Sequence, residues 1–333
     1  MQNYFFNPAS HDIVDSEQSV SGNKSDKTDK TLISVSTQTE DKQDNYTFLY
    51  NIPFFSSLFF PNILNKSTLV QNNKTYKTYK TLFYYQTFSS LDPIINLKRK
   101  TKEDIYVYIS SVHFGISNKI PYIGINNNSI ENQGTLWDDA IKAHENDINI
   151  MLMIGGAGGA YTALFSDFET YYSLLYILLN ERRYIVGIDL DIEESVKLDD
   201  VKKLITRLKK DFGSTFIITM APVASSMMYD MPGIGDFIYK DLHNSPEGEY
   251  ISWYNVQSYD EYTFDIYNSI VQNGYTPDNI VFGLLGNNFN SMSMLNVSNE
   301  LNKIKTKYPT MAGVIMWEYG DTTINPIEWA ISI

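Results

Sequence analysis

The sequence contains no cysteine, which excludes disulfide bonds, thiol nucleophiles and zinc sites with cysteine ligands. Both a reducing and an oxidising compartment are compatible with this absence. Basic residues are also few, because 26 Lys and Arg face 39 Asp and Glu and give a formal net charge of −13. No cluster of basic residues is typical of a surface that follows a phosphate backbone, so the sequence predicts no nucleic-acid partner. A neutral ligand fits this charge better.

The sequence lacks a basic N-terminal segment followed by an apolar core, so "MQNYFFNPAS" is not typical of a signal peptide. We expect a cytoplasmic protein or export by a non-standard route. The most apolar run, "YTFLYNIPFFSSLFFPNIL", is interrupted by Pro53, Pro61, Asn51 and Asn62. These interruptions favour a segment that packs on the folded domain or tethers it over one that contacts a membrane.

The first part of the chain differs in composition from the rest. From Ser10 to Asn45 it is rich in Ser, Asp, Lys and Thr and poor in aromatic residues, so it offers little apolar surface to bury. We therefore predict a disordered polar tail over residues 1–45. An aromatic, apolar linker or packing segment is predicted over 46–80, and a folded domain over 81–333.

Strand-like and helix-like segments alternate from Thr81 onward. The candidate strands are "TLFYYQTF", "DIYVYISSVHF", "INIMLMIGG", "IVGIDLDIE", "TFIITMAPV", "ISWYNVQSY", "NIVFGLLGN" and "AGVIMWEY". Helix-like segments lie between most of them, which predicts βα units and a parallel sheet. Eight such units over roughly 250 residues are typical of a (β/α)8 barrel. We predict an α/β fold with a single TIM-type barrel and an irregular N-terminal extension, and we expect a monomer.

The fourth candidate strand places acids at alternate positions. Asp189, Asp191 and Glu193 are separated by aliphatic residues in "GIDLDIE". Because i and i+2 side chains of a strand share one face, about 6.6 Å apart, the three acids line up. Helix-like segments before and after this strand can cover its aliphatic side, so we expect the acids to point inward.

In such barrels the chemistry lies at the C-terminal ends of the strands, so these ends can be interpreted as a site. They offer carboxylates, an amide, tyrosine hydroxyls and a tryptophan face, together with glycines that let backbone approach a ligand. This set suits a hydroxyl-rich ligand with apolar ring faces, such as a sugar. Beside the acid triplet, the candidate ligand-contacting residues are Tyr85, Gly156, Met220, Gln257, Tyr259, Asp260 and Trp317.

The strand "GIDLDIE" resembles the D-G-x-D-x-D-x-E signature of the family 18 glycoside hydrolases, the chitinases and their relatives. Four other strand ends are similar to motifs of that family: "MIGG", "MAP", "QSYD" and "MWE". The resemblance covers Thr81 to Asp321 in the family's order. Five motifs in register are far more specific than the acid signature alone.

The resemblance implies hydrolysis of N-acetylglucosamine glycans by a catalytic domain over 81–333, with the substrate's own N-acetyl group as nucleophile. Glu193 would be the general acid, and Asp191 would orient the acetamido group and stabilise an oxazolinium intermediate. Asp189 and Asp191 place negative charge near Glu193, which favours its protonated form. No cofactor and no metal ion is implied.

The same resemblance implies the roles of the remaining candidates. Tyr259 would donate a hydrogen bond to the acetyl carbonyl, with Gln257 and Asp260 contacting the same sugar. Trp317 would form the apolar floor under that sugar, the −1 sugar. As isolated residues, Tyr259 and Trp317 are more typical of core or rim aromatics than of a site, and only their positions at strand ends favour the site.

Alternatives remain open at this stage. The acid triplet could be a solvated face, an ion-pair network or a Mg²⁺ or Ca²⁺ site, since clustered carboxylates bind such ions. His113 has no ligand spacing around it and is interpreted as a core or rim histidine. An endo-acting enzyme on N-glycan cores would use the same acids, and a chitin-binding lectin would keep Tyr259 and Trp317 without turnover.

Two positions depart from the family pattern. The first Asp of the signature is Val186 here, and the serine of S-x-G-G is Met153. In the pattern these polar groups support the deeper acids, so their loss predicts altered support of Asp189. Because Asp191, Glu193 and Tyr259 all remain, the sequence favours a working hydrolase.

Overall fold

Eight parallel strands close into a barrel in the described part of the chain, which the computed structural model gives as residues 70–71, 74–75, 78–126, 128–259, 261–287 and 293–333. The barrel strands are β3 (Lys80–Tyr85), β4 (Asp104–Ser117), β7 (Asn149–Gly155), β8 (Ile185–Asp191), β9 (Ile217–Met220), β10 (Trp253–Gln257), β11 (Ile280–Leu285) and β12 (Gly313–Trp317). Outside the ring, the described residues also form the short strands β1 (Val70–Gln71), β2 (Lys74–Thr75), β5 (Ile120–Ile125) and β6 (Asn128–Ser129).

The barrel strands neighbour one another in the order β3, β12, β11, β10, β9, β8, β7, β4, and pairing of β3 with β4 closes the ring. Every pairing around this ring is parallel. Each of the eight candidate strands from the sequence corresponds to one barrel strand. The predicted (β/α)8 barrel is therefore confirmed.

Helices connect the strands and cover the outside of the ring, as short βα connections require. They are α1 (Asp92–Lys98), α2 (Leu136–Glu145), α3 (Tyr161–Ser166), α4 (Phe168–Glu181), α5 (Leu198–Phe212), α6 (Ala224–Met228), α7 (Tyr239–His243), α8 (Phe264–Gln272), α9 (Met294–Lys307) and α10 (Pro326–Ser332), with 3₁₀ turns at Pro246–Tyr250 and Pro277–Asn279. None of the helices in the described ranges is long and apolar enough to cross a membrane.

Apolar side chains form two layers separated by the strands. The outer layer lies between strands and helices, and it contains Ile188 and Leu190 of β8 packed with residues of α4 and α5. The inner layer fills the barrel with large side chains, as in other closed barrels of this size. Its members are Leu82, Tyr84, Tyr106, Tyr108, Met151, Met153, Trp253, Val281, Ala312 and Ile315.

An antiparallel hairpin follows the second barrel strand and was not predicted from the sequence. β4 continues to Ser117, turns at Asn118 and Lys119, and pairs with β5. Both turn residues have positive φ, at 51° and 66°, as the two-residue turns that suit a twisted hairpin require. The hairpin lies at the end of the barrel where the parallel strands terminate.

The predicted boundaries of the N-terminal segments are only partly covered by the structure. The first barrel strand begins at Lys80, one residue before the predicted domain start. The predicted tail over 1–45 and most of the segment over 46–80 lie outside the described residues, and so does Asp260.

Candidate active site

A cavity of about 310 Å³ opens at the C-terminal ends of the barrel strands. Six elements or their following loops contribute to it, from β3 to β12. Its lining residues are Gln86, Ser111, His113, Gly156, Ala157, Gly158, Asp191, Glu193, Gln257, Tyr259 and Trp317. Six of the candidate residues predicted from the sequence thus meet in one place.

Asp189 lies below this cavity, fully buried inside the barrel. Its Oδ1 accepts hydrogen bonds from the Thr219 hydroxyl at 2.6 Å and the Asn255 amide at 3.0 Å. Its Oδ2 accepts one from the Tyr84 hydroxyl at 2.8 Å. Burial raises the pKa of Asp189 to about 6, although all three donors pull it down. The carboxyl group is therefore held in place while remaining able to take up a proton.

Asp191 and Glu193 are joined by one side-chain amide. The Gln257 Nε2 lies 3.0 Å from Asp191 Oδ1 and 3.4 Å from Glu193 Oε1, and it also donates to the Ala221 carbonyl at 2.8 Å. Burial, then the charges of Glu193 and Asp189, raise the pKa of Asp191 well above its usual range. Burial likewise raises the pKa of Glu193, and the Gln257 amide opposes both shifts. The two acids thus form a coupled pair that favours holding a proton.

The loop after β8 is fixed by the residue next to Glu193. The Glu194 carboxylate accepts hydrogen bonds from the backbone N–H groups of Ala160, Tyr161 and Thr162 at the start of α3. Burial opposes its charge, but a hydrogen bond from the Thr162 side chain and those from the three N–H groups together outweigh burial and lower the pKa of Glu194. A second bond joins the Val196 N–H to the Gly235 carbonyl at 3.0 Å. Held at both points, the loop presents Glu193 to the cavity from a defined direction.

Tyr259 and Trp317 supply a hydroxyl and an aromatic wall. Burial raises the pKa of Tyr259 well above its ordinary value, and the charges of Asp191, Glu193 and Asp189 add to this. The phenol therefore keeps its proton and can donate a hydrogen bond. The Trp317 ring is half-buried, and its centroid lies 5.2 Å from the centroid of the Tyr84 ring inside the barrel, with 60° between the two ring planes. Its remaining surface faces the cavity.

Gly156 brings backbone close to the acids. Its φ is +75°, a conformation that residues with a side chain rarely adopt. A Cβ atom here would lie 3.1 Å from the Met153 methyl group and 3.5 Å from Asp191 Oδ2. The Gly156 N–H also donates to the Asp191 carbonyl at 2.9 Å. A larger residue would therefore disturb the wall beside Asp191.

The structure does not place Tyr85 and Met220 in the cavity, which corrects two of the sequence predictions. Both are fully buried in the outer layer between strands and helices. Because side chains alternate along a strand, their neighbours Tyr84 and Thr219 point into the barrel instead, where both bind Asp189. The sequence predictions named the correct two strands but the wrong face of each strand.

Several residues around the acids were missed by the sequence interpretation. Tyr84, Thr219 and Asn255 could have been found by extending the two-residue period from Asp189 to the neighbouring strands. Gln86 and Ser111 line the cavity but had no recognisable pattern. His113 is a rim residue whose Nδ1 lies 2.7 Å from the Gly159 carbonyl oxygen.

The two departures from the family pattern lie in different surroundings. Met153 pairs with Asp189 across β7 and β8, and its sulfur accepts a hydrogen bond from the Ser110 hydroxyl at 3.4 Å. Val186 lies near the start of β8, where the register with β7 shifts, and packs against the inner layer. Within the described ranges no group of three or more His, Cys, Asp or Glu is arranged to hold a metal ion.

No protein-family model matches the chain, and no curated protein matches it in sequence. Solved structures do match it. The chitinase ChiC from Aspergillus fumigatus is 29% identical with a TM-score of 0.66, covering 76% of this chain and 97% of its own. A fungal endo-β-N-acetylglucosaminidase of glycosyl hydrolase family 18 is 26% identical with a TM-score of 0.66, covering 76% and 95%.

A family 18 chitinase from Pseudoalteromonas aurantia shares the fold at 17% identity, with a TM-score of 0.57 and coverage of 76% and 100%. The structural neighbours are therefore glycoside hydrolases of family 18. The chain has a family 18 glycoside hydrolase-like fold, which confirms the resemblance seen in the five sequence motifs.

Proposed function

We propose that this protein, with its chitinase-like fold, hydrolyses β-1,4-linked N-acetylglucosamine chains by substrate-assisted, retaining catalysis. The observation that carries the proposal is the Gln257 amide shared by Asp191 and Glu193, in a cavity walled by Tyr259 and Trp317. This arrangement supplies a proton donor, a neighbouring carboxylate and an apolar surface at one point. A glycosidic oxygen, an acetamido group and a sugar ring need these three features.

In the first step Glu193 is the proton donor. Its raised pKa favours the protonated acid, which faces the cavity and can protonate the leaving glycosidic oxygen. As the C–O bond breaks, the acetamido carbonyl oxygen of the same sugar attacks the anomeric carbon and gives an oxazolinium ion. Asp191 accepts a hydrogen bond from the acetamido N–H and stabilises the positive charge. Tyr259 donates to the acetamido oxygen and orients it for attack.

The second step returns the proton. Glu193, now ionised, takes a proton from water while the water oxygen attacks the anomeric carbon and reopens the oxazolinium ring. Two successive inversions retain the configuration at the anomeric carbon. Asp189 supports both steps from below by placing charge near Asp191, whose pKa it raises.

The distribution of acids favours this route over one with a protein nucleophile. A two-carboxylate glycosidase needs one acid on each side of the scissile bond. Among the described residues that line the cavity, the carboxylates are Asp191 and Glu193, and both contact the same amide. Neither is therefore positioned across the substrate from the other, so the acetamido group is the better nucleophile.

An endo-β-N-acetylglucosaminidase activity on N-glycan cores is the second candidate. It is favoured by the fungal endo-β-N-acetylglucosaminidase, which is 26% identical and has the same TM-score as the chitinase ChiC. Both reactions would use Glu193 and Asp191 in the same roles. They differ in the sugars bound beyond the −1 position.

The test is hydrolysis of fluorogenic chitooligosaccharides and of a high-mannose N-glycopeptide by the full chain. We expect chitooligosaccharide turnover that falls by about 10²–10⁴-fold in Glu193→Gln, since the amide keeps the shape but cannot deliver a proton. Asp199→Asn, an exposed acid in the first turn of α5, is the matched control and should keep full activity. Undiminished turnover in Glu193→Gln would remove Glu193 from its role.

The remaining outcomes separate the alternatives. Faster turnover of the N-glycopeptide would replace the chitinase proposal by the endo-glycosidase. Binding of chitooligosaccharides by the wild-type chain without any turnover would indicate a lectin and overturn the proposed reaction.

A further inference from the structure

The hairpin of β4 and β5 carries an exposed aromatic ring on the side that faces the cavity. In the antiparallel register His113 lies opposite Gly124, Gly115 opposite Tyr122, and Ser117 opposite Ile120. Paired residues of this kind share one face of the hairpin. His113 lines the cavity, so Tyr122 extends the same face by one pair, about 7 Å along the strand.

The Tyr122 ring lies flat on this face because Gly115 leaves room for it. A Cβ atom at Gly115 would lie 2.7 Å from the ring and from the hydroxyl oxygen of Tyr122, closer than atoms can approach without a shift. Gly115 does not have a positive φ, so its backbone does not require glycine. What glycine provides at position 115 is space under the ring.

The ring keeps an accessible surface, since Tyr122 is 42% exposed. Ile120, the next residue outward on the same face, is 68% exposed. An aromatic ring beside an aliphatic side chain gives an apolar strip that continues from the cavity rim. Isolated exposed apolar residues are ordinary, but these two are adjacent and aligned with a proposed active site.

The hairpin is fixed to the barrel, so the ring is preorganised. The Tyr171 hydroxyl of α4 donates to the Gly115 carbonyl at 3.2 Å, directly beneath the pair that carries Tyr122. The Phe114 ring, on the opposite face, packs edge-to-face on the Tyr171 ring at 5.7 Å. A rigid platform loses little conformational entropy when a ligand stacks on it.

We propose that Tyr122, with Ile120 beside it, is a stacking platform for a second N-acetylglucosamine unit, next to the sugar bound in the cavity. The proposal rests on the proposed function, because it takes the ligand to be a chain of such sugars. The apolar face of a pyranose ring covers an aromatic ring, and neither partner is charged. The platform would therefore set the preference for longer oligosaccharides.

The experiment measures dissociation constants for chitobiose and chitohexaose by calorimetry, with the full chain carrying Glu193→Gln to prevent turnover. In this background, Tyr122→Ala should weaken chitohexaose binding about tenfold, the loss expected for a truncated aromatic contact, and change chitobiose binding by less than about twofold. Tyr122→Phe should restore the affinity for chitohexaose. Tyr176→Ala, a 39% exposed tyrosine on α4, is the matched control and should change neither constant.

A second variant tests the ring's position rather than its presence. Gly115→Ala keeps Tyr122 but puts a methyl group where the ring lies, so it should reproduce the loss for chitohexaose alone. Equal losses for both ligands, or no loss in Tyr122→Ala, would overturn the platform.

Failure of the platform can be told from failure of the proposed function. If the wild-type chain hydrolyses no chitooligosaccharide but the length-dependent loss is found, the platform stands and the hydrolase proposal fails. Hydrolysis without a length-dependent effect of Tyr122 overturns the platform alone. No binding of either oligosaccharide overturns both.

Discussion

The Asp189→Asn variant should gain stability relative to the wild-type protein as the pH rises. Burial raises the pKa of the folded-state carboxyl to about 6, above its ordinary value of 3.8. Between these two values the folded state holds a proton that the unfolded state has released. Raising the pH through this interval therefore favours unfolding of the wild-type protein. Asparagine has no proton to release, so the variant lacks this term.

The size of the effect follows from the same two values. The interval from 3.8 to about 6 corresponds to about 3 kcal/mol, at roughly 1.36 kcal/mol for each pH unit. The proton on Asp189 stabilises the folded wild-type protein by this full amount below pH 3.8. This stabilisation is lost as the pH rises from 3.8 to about 6, and it is absent at higher pH. Asn is nearly isosteric, and the Tyr84 and Thr219 hydroxyls can accept as well as donate, so the fold should persist.

The assay is urea unfolding of both proteins at pH 4, 5, 6 and 7, comparing their free energies of unfolding. The loss of the Asp189 titration should raise the difference between variant and wild type by about 2.4 kcal/mol from pH 4 to pH 7, most of it below about pH 6, because the rest of the full term lies below pH 4. Carboxylates far from position 189 affect both proteins alike and cancel in the difference. Asp191 does not cancel, because loss of the Asp189 charge lowers its pKa in the variant, and this adds to the expected rise. Any change in hydrogen bonding caused by the amide adds the same amount at every pH. A difference that stays flat, or falls as the pH rises, would refute the burial of an ionisable Asp189.

Two further substitutions probe the acids directly. Asp191→Asn should lower hydrolysis and weaken binding of a thiazoline that mimics the cyclised intermediate, because the carboxylate stabilises its charge; equal binding of the thiazoline would demote Asp191. Met153→Ser should lower the pH of the acidic limb in the kcat/KM profile more than it changes KM, because a hydroxyl facing the acids would favour their ionised forms. An unchanged pH profile would show that Met153 does not influence the acids.

The barrel could be predicted from the sequence because its strands are short apolar runs separated by helix-like segments. Alternation in "GIDLDIE" also placed its acids correctly, since the aliphatic residues between them needed a helix-covered face. The hairpin after the second strand was missed because "SNKI" lacks the glycine that usually marks a two-residue turn. Asn118 and Lys119 adopt positive φ without it.

Contacts inside the site were harder to predict than the strands that carry it. Tyr84 and Tyr85 are adjacent and chemically identical, and only the register of β3 decides which one reaches Asp189. A single-residue error in phase exchanges the two faces of a strand. The motif "MAP" raised the same difficulty, because Met220 belongs to it while Thr219, just before it, binds the acid.

Support for Asp189 comes from strands other than those that carry the two departures. Val186 and Met153 lie on β8 and β7, whereas the donors to Asp189 lie on β3, β9 and β10. Three hydrogen bonds to a buried carboxylate leave little unsatisfied, so a serine at position 153 is not needed to hold it. Burying an acid this deeply destabilises the fold near neutral pH, and a purely sugar-binding wall gains nothing from it. The retained network therefore favours catalysis over binding alone, despite the two substitutions.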